Sequence, residues 1–224
     1  MKILLRVRPV GPWQANAHAW VCPASMQSVL IDPGAEPRAL DALLDGTRPV
    51  AILLTHSHPD HTGALKDMRS RLRVPVMAHP AFAGETIDRA LADGDTIVVG
   101  KHRLKACHTP GHTPDQICIA VEDDDRIVVG DTVFEGGPGK TWTPEDFHTT
   151  LDTLQRVVLA WPDDTRCYPG HGGPFRLGDI RGAMESFISN VGGHLVLHGG
   201  TSGFARNLRK KSRRIFENKK PVRF

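Results

Sequence analysis

Residues 50–61, VAILLTHSHPDH, form the most informative stretch of this chain. Its first half is a short apolar run, which is typical of a buried β-strand. Its second half places three imidazoles and a carboxylate within residues 56–61. Neutral imidazole and carboxylate are the groups that hold zinc and similar divalent ions. The stretch therefore predicts a metal site in the loop at the carboxyl end of a strand, although close histidines also occur in solvated turns.

Three further stretches repeat this design of an apolar strand followed by a metal-binding group. His112 follows one apolar run within the turn HTPGHT, Asp131 follows a second run after a glycine, and His171 follows a third within YPGHG. The prolines and glycines in these stretches mark turns. Because four strand ends carry ligand side chains, the sequence favours a metal site over a solvated turn.

Taken in order, the motifs HSHPDH, TPGHT, GDT and PGH resemble those of the metallo-β-lactamase superfamily over about residues 16–175. The chain is most similar to the short, single-domain proteins that resemble glyoxalase II, the hydroxyacylglutathione hydrolases. The resemblance implies an α/β fold, a four-layer αββα sandwich with two mixed β-sheets face to face and helices on the outer faces. It also implies that the metals lie in loops at one edge of the sandwich.

The resemblance further implies two divalent metal ions, which share a water or hydroxide that acts as the nucleophile. It assigns three ligands to the first ion, three to the second and one bridging ligand: His56, His58 and His112, then Asp60, His61 and His171, then Asp131. Asp60 is expected to be catalytic as well, because it would orient the hydroxide. Zinc is the expected metal, with iron or manganese as alternatives, since all three accept imidazole and carboxylate. Asp32, in the turn after an earlier strand, is expected to support the metal loops.

The expected substrate is a small-molecule thioester of the S-acyl-glutathione type. Lys140 matches a cation that helps glyoxalase II enzymes to bind a glutathione carboxylate, so it is the expected substrate-binding residue, with a surface lysine as the alternative. Trp142 stands where those enzymes often have a tyrosine, Gly172 and Gly173 stand where they often have a Glu-Tyr pair, and their helical C-terminal domain is not expected here. These differences keep other esters and lactones open.

Two other activities on the same scaffold remain open at this stage. One is a persulfide dioxygenase with a single iron, held by His56, His58, His112 and Asp131. The other is a lactone or β-lactam hydrolase. The ligand types do not separate these alternatives from a binuclear hydrolase.

Composition predicts an ordinary soluble globular protein, and the expected location is the cytoplasm. The chain has 224 residues, 24% of them charged and 40% hydrophobic, which is typical of a single globular domain. No apolar run approaches the ~18 residues of a membrane span, and the charged start of the chain does not resemble a signal peptide. The four cysteines form no Cys-x-x-Cys pair, which indicates free thiols in a reducing compartment.

Charge divides the chain into a hydrolase domain at residues 1–205 and a basic C-terminal tail at residues 206–224. The tail carries nine of the 28 lysines and arginines and one glutamate. Such a run can bind nucleic acid, but a solvated tail is the interpretation we favour, so no nucleic-acid partner is expected. The sequence does not indicate an oligomeric state.

Periodicity and capping signals predict strands alternating with helices. The predicted helices are 36–45, 60–70, 81–91, 144–160 and 178–190. The predicted strands are 2–9, 16–22, 27–31, 50–55, 74–78, 96–99, 102–107, 116–121, 126–130 and 165–168. The histidines outside the ligand motifs, His18 among them, are expected to be structural or exposed.

Overall fold

The computed structural model of the chain describes residues 1–196. The strands are β1 Leu4–Val10, β2 Ala15–Val21, β3 Gln27–Ile31, β4 Arg48–Leu53, β5 Val76–Ala78, β6 Arg89–Ala90, β7 Thr96–Val99, β8 His102–His108, β9 Ile117–Val121, β10 Arg126–Gly130, β11 Val133–Phe134, β12 Gly137–Pro138, β13 Arg166–Pro169 and β14 Phe175–Arg176. The helices are α1 Pro37–Leu43, α2 Pro59–Thr62, α3 Leu65–Leu72, α4 Pro144–Arg156 and α5 Leu177–Val196, with a 3-10 turn at Val158–Ala160.

Most of the strands form two six-stranded sheets, and both sheets are mixed. The first has the order β1-β2-β3-β4-β5-β6, and the second has the order β14-β13-β10-β9-β8-β7. In the first sheet β1, β2 and β3 are antiparallel, whereas β3 to β6 run parallel to one another. In the second sheet β10 and β13 form the parallel pair. The short strands β11 and β12 form a separate hairpin.

Three apolar clusters fill the three interfaces between four layers. Successive side chains of a strand point to opposite faces, so Val29 and Ile31 of β3 join the cluster between the sheets, while Leu30 joins the cluster under α1 and α3. In β10, Val128 faces the other sheet, while Val129 packs with α4 and α5. The αββα sandwich predicted from the sequence is therefore confirmed.

Two helix predictions need correction. Residues 81–91 do not form a helix; they form a loop that ends in β6, because Arg69 hydrogen-bonds Asp88 and the backbone pairs with β5. The helix predicted at 60–70 is two helices, α2 and α3. It breaks because the backbone N–H of Ala64 donates to the carbonyl of Pro33 instead of continuing the helix.

Other sequence-based expectations hold or lie outside the described residues. Helix α4 begins at Pro144 after a full capping box between Thr143 and Asp146, as the sequence signal at Thr143 indicated. Among residues 1–196, no helix is long and apolar enough to cross a membrane. The predicted domain end near residue 205 and the basic tail at 206–224 lie outside the described residues.

Candidate metal centre

The seven candidate ligand side chains come from loops at the carboxyl ends of strands in both sheets. His56 and His58 follow β4, His112 follows β8, Asp131 follows β10 and His171 follows β13. Asp60 and His61 lie one step further along the first of these loops, on the short helix α2. The parallel strands β3 to β5 end at the same edge, as do β10 and β13, so one edge of the sandwich collects all seven side chains.

The first group consists of three histidines whose ring nitrogens converge. His58 Nδ1 lies 3.1 Å from His56 Nε2 and 2.9 Å from His112 Nε2. Zinc ligands about 2.1 Å from a tetrahedral ion are about 3.4 Å apart, so this spacing is close to that of a ligand shell. His56 is fully buried and His112 nearly so.

The second group lies beside the first and contains Asp60, His61 and His171. His61 Nε2 is 3.4 Å from His171 Nε2, and an Asp60 carboxylate oxygen is 3.1 Å from His171 Nε2. The candidate ligand atoms of each group lie within 4.8 Å of one another. Asp60 and His171 keep part of their surface exposed, so this side of the cluster opens to solvent.

The carboxylate of Asp131 lies between the two groups. Its Oδ1 is 3.5 Å from His61 Nε2, and its Oδ2 is 3.5 Å from His112 Nε2. Oδ1 is buried and has no hydrogen-bond partner among the described residues. A buried carboxylate oxygen without a donor is costly unless a cation satisfies it, so the donor set fits metal binding.

Hydrogen bonds on the far side of four rings leave the converging nitrogens as lone-pair donors. His112 Nδ1 lies 2.7 Å from the carbonyl of Lys140, and His171 Nδ1 lies 3.0 Å from the carbonyl of Trp13. A carbonyl only accepts, so each Nδ1 carries the proton and each Nε2 offers its lone pair to the centre. A metal-binding histidine is typically fixed in this way.

Asp32 and Thr55 fix the other two rings. Asp32 accepts from the backbone N–H and the hydroxyl of Thr55, at 2.7 and 2.6 Å, and from His61 Nδ1 at 3.0 Å. Because the Thr55 hydroxyl donates to Asp32, it must accept from His56 Nδ1, 3.0 Å away. Asp32 was expected to support the metal loops and it does. Thr55 and the Trp13 carbonyl were missed, since neither has a signal in the sequence.

The charges of the two groups differ. Burial lowers the pKa of His56 well below its usual value, and burial also lowers the pKa of His112, so these rings are neutral. Burial opposes protonation of His61, but the hydrogen bond and charge of Asp32, with the charges of Asp131 and Asp60, raise its pKa to about 9. When a proton takes the place of a cation on His171 Nε2, the hydrogen bond from this ring lowers the pKa of Asp60 to about 2. The second group therefore attracts positive charge, whether a proton or a metal cation.

One glycine beside the centre is required by close approach. A Cβ added at Gly170 would lie 2.1 Å from Asp131 Oδ1 and 2.6 Å from His61 Cε1, so any side chain there would displace ligands. The loop that carries Gly170 and His171 is held by Asn16, whose side-chain amide donates to the carbonyls of Pro169 and Gly172. The loop geometry thus depends on a strand far away in the sequence.

Lys140, which the sequence singled out, and His108, which precedes His112 by four residues, lie at the border of the cluster. The carbonyl of Lys140 orients His112, while its ammonium group lies 3.9 Å from the ring centroid of the exposed Trp142. His108 does not join the ligands; its Nε2 lies 2.9 Å from the carbonyl of Pro114, and its ring stacks on His79. His108 is thus a structural residue that supports the loop carrying His112.

An αββα sandwich with this cluster of histidines and aspartates at its edge defines a class of metal-binding proteins. The family model described as the metallo-beta-lactamase superfamily matches residues 11–171. The chain belongs to the metallo-beta-lactamase superfamily. It is a hydrolase of that superfamily, and its cluster of histidines and aspartates can hold metal ions.

Individual relatives agree with this assignment. The "Probable metallo-hydrolase YqgX" of Bacillus subtilis is 32% identical over 191 residues, which is 75% of this chain and 89% of the relative. A "Hydroxyacylglutathione hydrolase" of Nitrosococcus oceani is 33% identical over 169 residues. The match covers 71% of this chain but only 64% of that relative's length. The structure of TTHA1623 in a di-iron-bound form has a TM-score of 0.69 and 32% identity, covering 79% of this chain and 96% of that one.

Proposed function

We propose that this chain is a binuclear metal-dependent hydrolase that cleaves a thioester of the S-acyl-glutathione type. The observation that carries the proposal is the position of Asp131, whose two carboxylate oxygens face His61 and His112, each at 3.5 Å. A carboxylate placed between two ligand groups can serve two cations at once. The relative named hydroxyacylglutathione hydrolase supports the choice of a thioester.

In this proposal each metal has three ligands besides the bridging Asp131. They are His56, His58 and His112 for the first ion, and Asp60, His61 and His171 for the second. When bound, two such ions would lower the pKa of a water at the centre from ~15.7 to near ~7 and would polarise the thioester carbonyl. Zinc is the expected metal, and iron is the alternative that the di-iron relative supports.

Asp60 is proposed to have a second role besides binding metal. The contact with His171 lowers the pKa of Asp60, so this carboxylate is an anion at neutral pH whether His171 Nε2 carries a proton or binds a cation. Its carboxylate lies on the side of the cluster that is open to solvent. An anionic acceptor there can orient the attacking water by holding one of its protons.

The substrate side of the proposal depends on Lys140. Its side chain is exposed and its ammonium group lies over Trp142, while its own carbonyl fixes His112. The cation is therefore tied to the same loop as a ligand. We propose that it binds an anionic group on the thiol half of the substrate, which is a small molecule.

Metal quantitation and a hydrolysis panel on one preparation test the proposal. We expect two divalent ions per chain and turnover of S-acyl-glutathione thioesters. His58→Ala should abolish turnover and lower the metal content, whereas the exposed His148→Ala on α4 should change neither. Turnover that survives His58→Ala would mean that this cluster is not the active site.

A second candidate activity is a dioxygenase with one iron. The observation that favours it is that His56, His58 and His112 converge without help from the second group, so one ion can be held alone. One iron per chain with oxygen uptake on a glutathione persulfide would favour this candidate. Lactones and a β-lactam belong in the same panel, since hydrolysis of these alone would replace the thioester in our proposal.

The protein is proposed to act in the cytoplasm. Cys22, Cys107, Cys118 and Cys167 are all free, as expected in a reducing compartment. Fractionation of cells that express a tagged chain would test this location.

A further inference from the structure

A cavity of about 320 Å³ lies beside the metal centre, between the β11–β12 hairpin and helix α5. Its size falls within the range of small-molecule sites in proteins. Four residues of α5 line one wall at helical spacing, and they are Ile180, Ala183, Met184 and Phe187. The hairpin supplies the opposite wall, with Phe134 and Pro138 among its residues.

The cavity borders the candidate active site. Phe134, in its wall, has its ring centroid 6.4 Å from that of His171. Lys140, at its border, holds His112 through its carbonyl. The same loop therefore lines the cavity and orients a candidate ligand, so one half of a molecule that reacts at the centre can reach this space.

The chemistry of the walls selects one half of a thioester. Apart from Lys140 and Glu135, which are exposed, the lining is apolar or glycine. Glutathione carries charges at both ends, so burying it against Ile180 and Met184 would cost free energy. An apolar acyl chain gains free energy there, since each buried methylene contributes about 0.8 kcal/mol.

We infer that this cavity binds the acyl chain of the substrate and that the chain is apolar, aliphatic or aromatic. The inference rests on the proposed thioester hydrolysis, in which water adds across the C–S bond and yields a carboxylic acid and a thiol. Lys140 then holds the charged thiol half at the rim while the acyl chain lies along α5. The preferred substrates are thus acyl thioesters larger and less polar than those of a small hydroxy acid.

The dependence of kcat/KM on acyl-chain length tests the inference directly. The metal-loaded protein is assayed with acetyl, butanoyl, hexanoyl and octanoyl thioesters of glutathione. We expect kcat/KM to rise about fourfold for each methylene that enters the cavity. Equal kcat/KM along the series would overturn the inference and leave the proposed hydrolysis intact. So would a preference that follows the apolarity of the thiol instead of the acyl group.

Two matched variants locate the effect. Ala183→Phe adds a ring to the cavity wall at an exposed position, and it should reduce the octanoyl-to-acetyl ratio of kcat/KM to near one. Ser189→Phe adds the same ring to an exposed position of α5 that does not line the cavity, and it should keep the ratio of the parent. The same ratio in both variants would overturn the inference.

A binding measurement separates this inference from the proposed function. Calorimetry should show that octanoate binds the parent protein and Ser189→Phe but binds Ala183→Phe only weakly. Acetate should bind the parent protein only weakly. If that pattern appears while no thioester is hydrolysed, the cavity assignment stands and the proposed reaction is wrong. If octanoate binds both variants equally, the cavity does not hold the chain.

Discussion

Asp32→Asn is the substitution that tests most sharply how the chain prepares its second ligand group. In the structure, one oxygen of Asp32 accepts from both the Thr55 hydroxyl and His61 Nδ1, at 2.6 and 3.0 Å. An amide nitrogen in that position would face two donors. His61 would then have to accept through Nδ1 and carry its proton on Nε2, the atom that faces Asp131 at 3.5 Å.

The expected result is selective weakening of metal binding at the second group. Loss of a partner that orients a ligand histidine typically lowers metal affinity about 10–100-fold, which corresponds to about 1.4–2.7 kcal/mol. Loss of the Asp32 charge also makes His61 easier to deprotonate, which works in favour of the metal. The affinity is therefore compared near pH 9, the pKa of His61, where proton competition is small in the parent protein as well.

The assay is calorimetric titration of metal into the metal-free parent and variant, with metal content measured independently. The matched control is Asp41→Asn, because the exposed carboxylate of Asp41 lies outside the cluster and forms an ion pair with the exposed Arg71. Asp41→Asn should bind both ions as the parent does. Two ions bound by Asp32→Asn with the parent's affinities would refute the role assigned to this hydrogen bond.

Three further predictions concern the loop, the acid and a buried base. Gly170→Ala should lose the second metal in metal quantitation, because the added Cβ would lie 2.1 Å from Asp131 Oδ1; retention of two ions would contradict this. Asp60→Asn should reduce turnover of the thioester while leaving the denaturant midpoint near that of the parent, and nearly full activity would exclude its catalytic role. Burial lowers the pKa of His18 to about 4, so the unfolded chain binds a proton below about pH 6.5 that the folded protein excludes. The free energy of unfolding should therefore fall by up to about 3 kcal/mol as pH drops from 6.5 to 4. His18→Phe should remove this part of the pH dependence, measured by denaturant unfolding at several pH values. A pH dependence equal to that of the parent would contradict the prediction.

The sequence was informative where a predicted strand and a metal-binding side chain are neighbours in the chain. Each ligand motif directly follows an apolar run, so the strand, its end and the ligand can all be predicted from one stretch. Strands in this sandwich bury both faces, as Leu30 and Ile31 do, so each strand appears in the sequence as a continuous apolar run. The arrangement of these strands in two sheets was implied by the resemblance of the ligand motifs to a known family. These features depend on neighbouring residues, and a single sequence contains them.

The sequence was uninformative where distant segments decide the local structure. Residues 81–91 have helical spacing, yet Arg69 and the edge of β5 draw Asp88 into a loop and a strand. The helix expected at 60–70 breaks because Pro33 takes the backbone N–H of Ala64. The Trp13 carbonyl that orients His171 is 158 residues away from it. No local pattern encodes such contacts.

The same difference explains why the metal chemistry was easier to predict than the substrate. A metal centre needs particular atom types, and only histidine, cysteine and the carboxylates supply them, so the residues themselves reveal it. An apolar cavity needs only shape, and Met184 and Ile180 on α5 look in the sequence like any core stripe of a helix. Their spacing fits core packing and a binding wall equally well, and only the position of the β11–β12 hairpin opposite them leaves a space of about 320 Å³. Substrate preference in this chain is therefore a property of how two distant segments meet, and it has to be measured at that junction, in variants such as Ala183→Phe, rather than at the ligands.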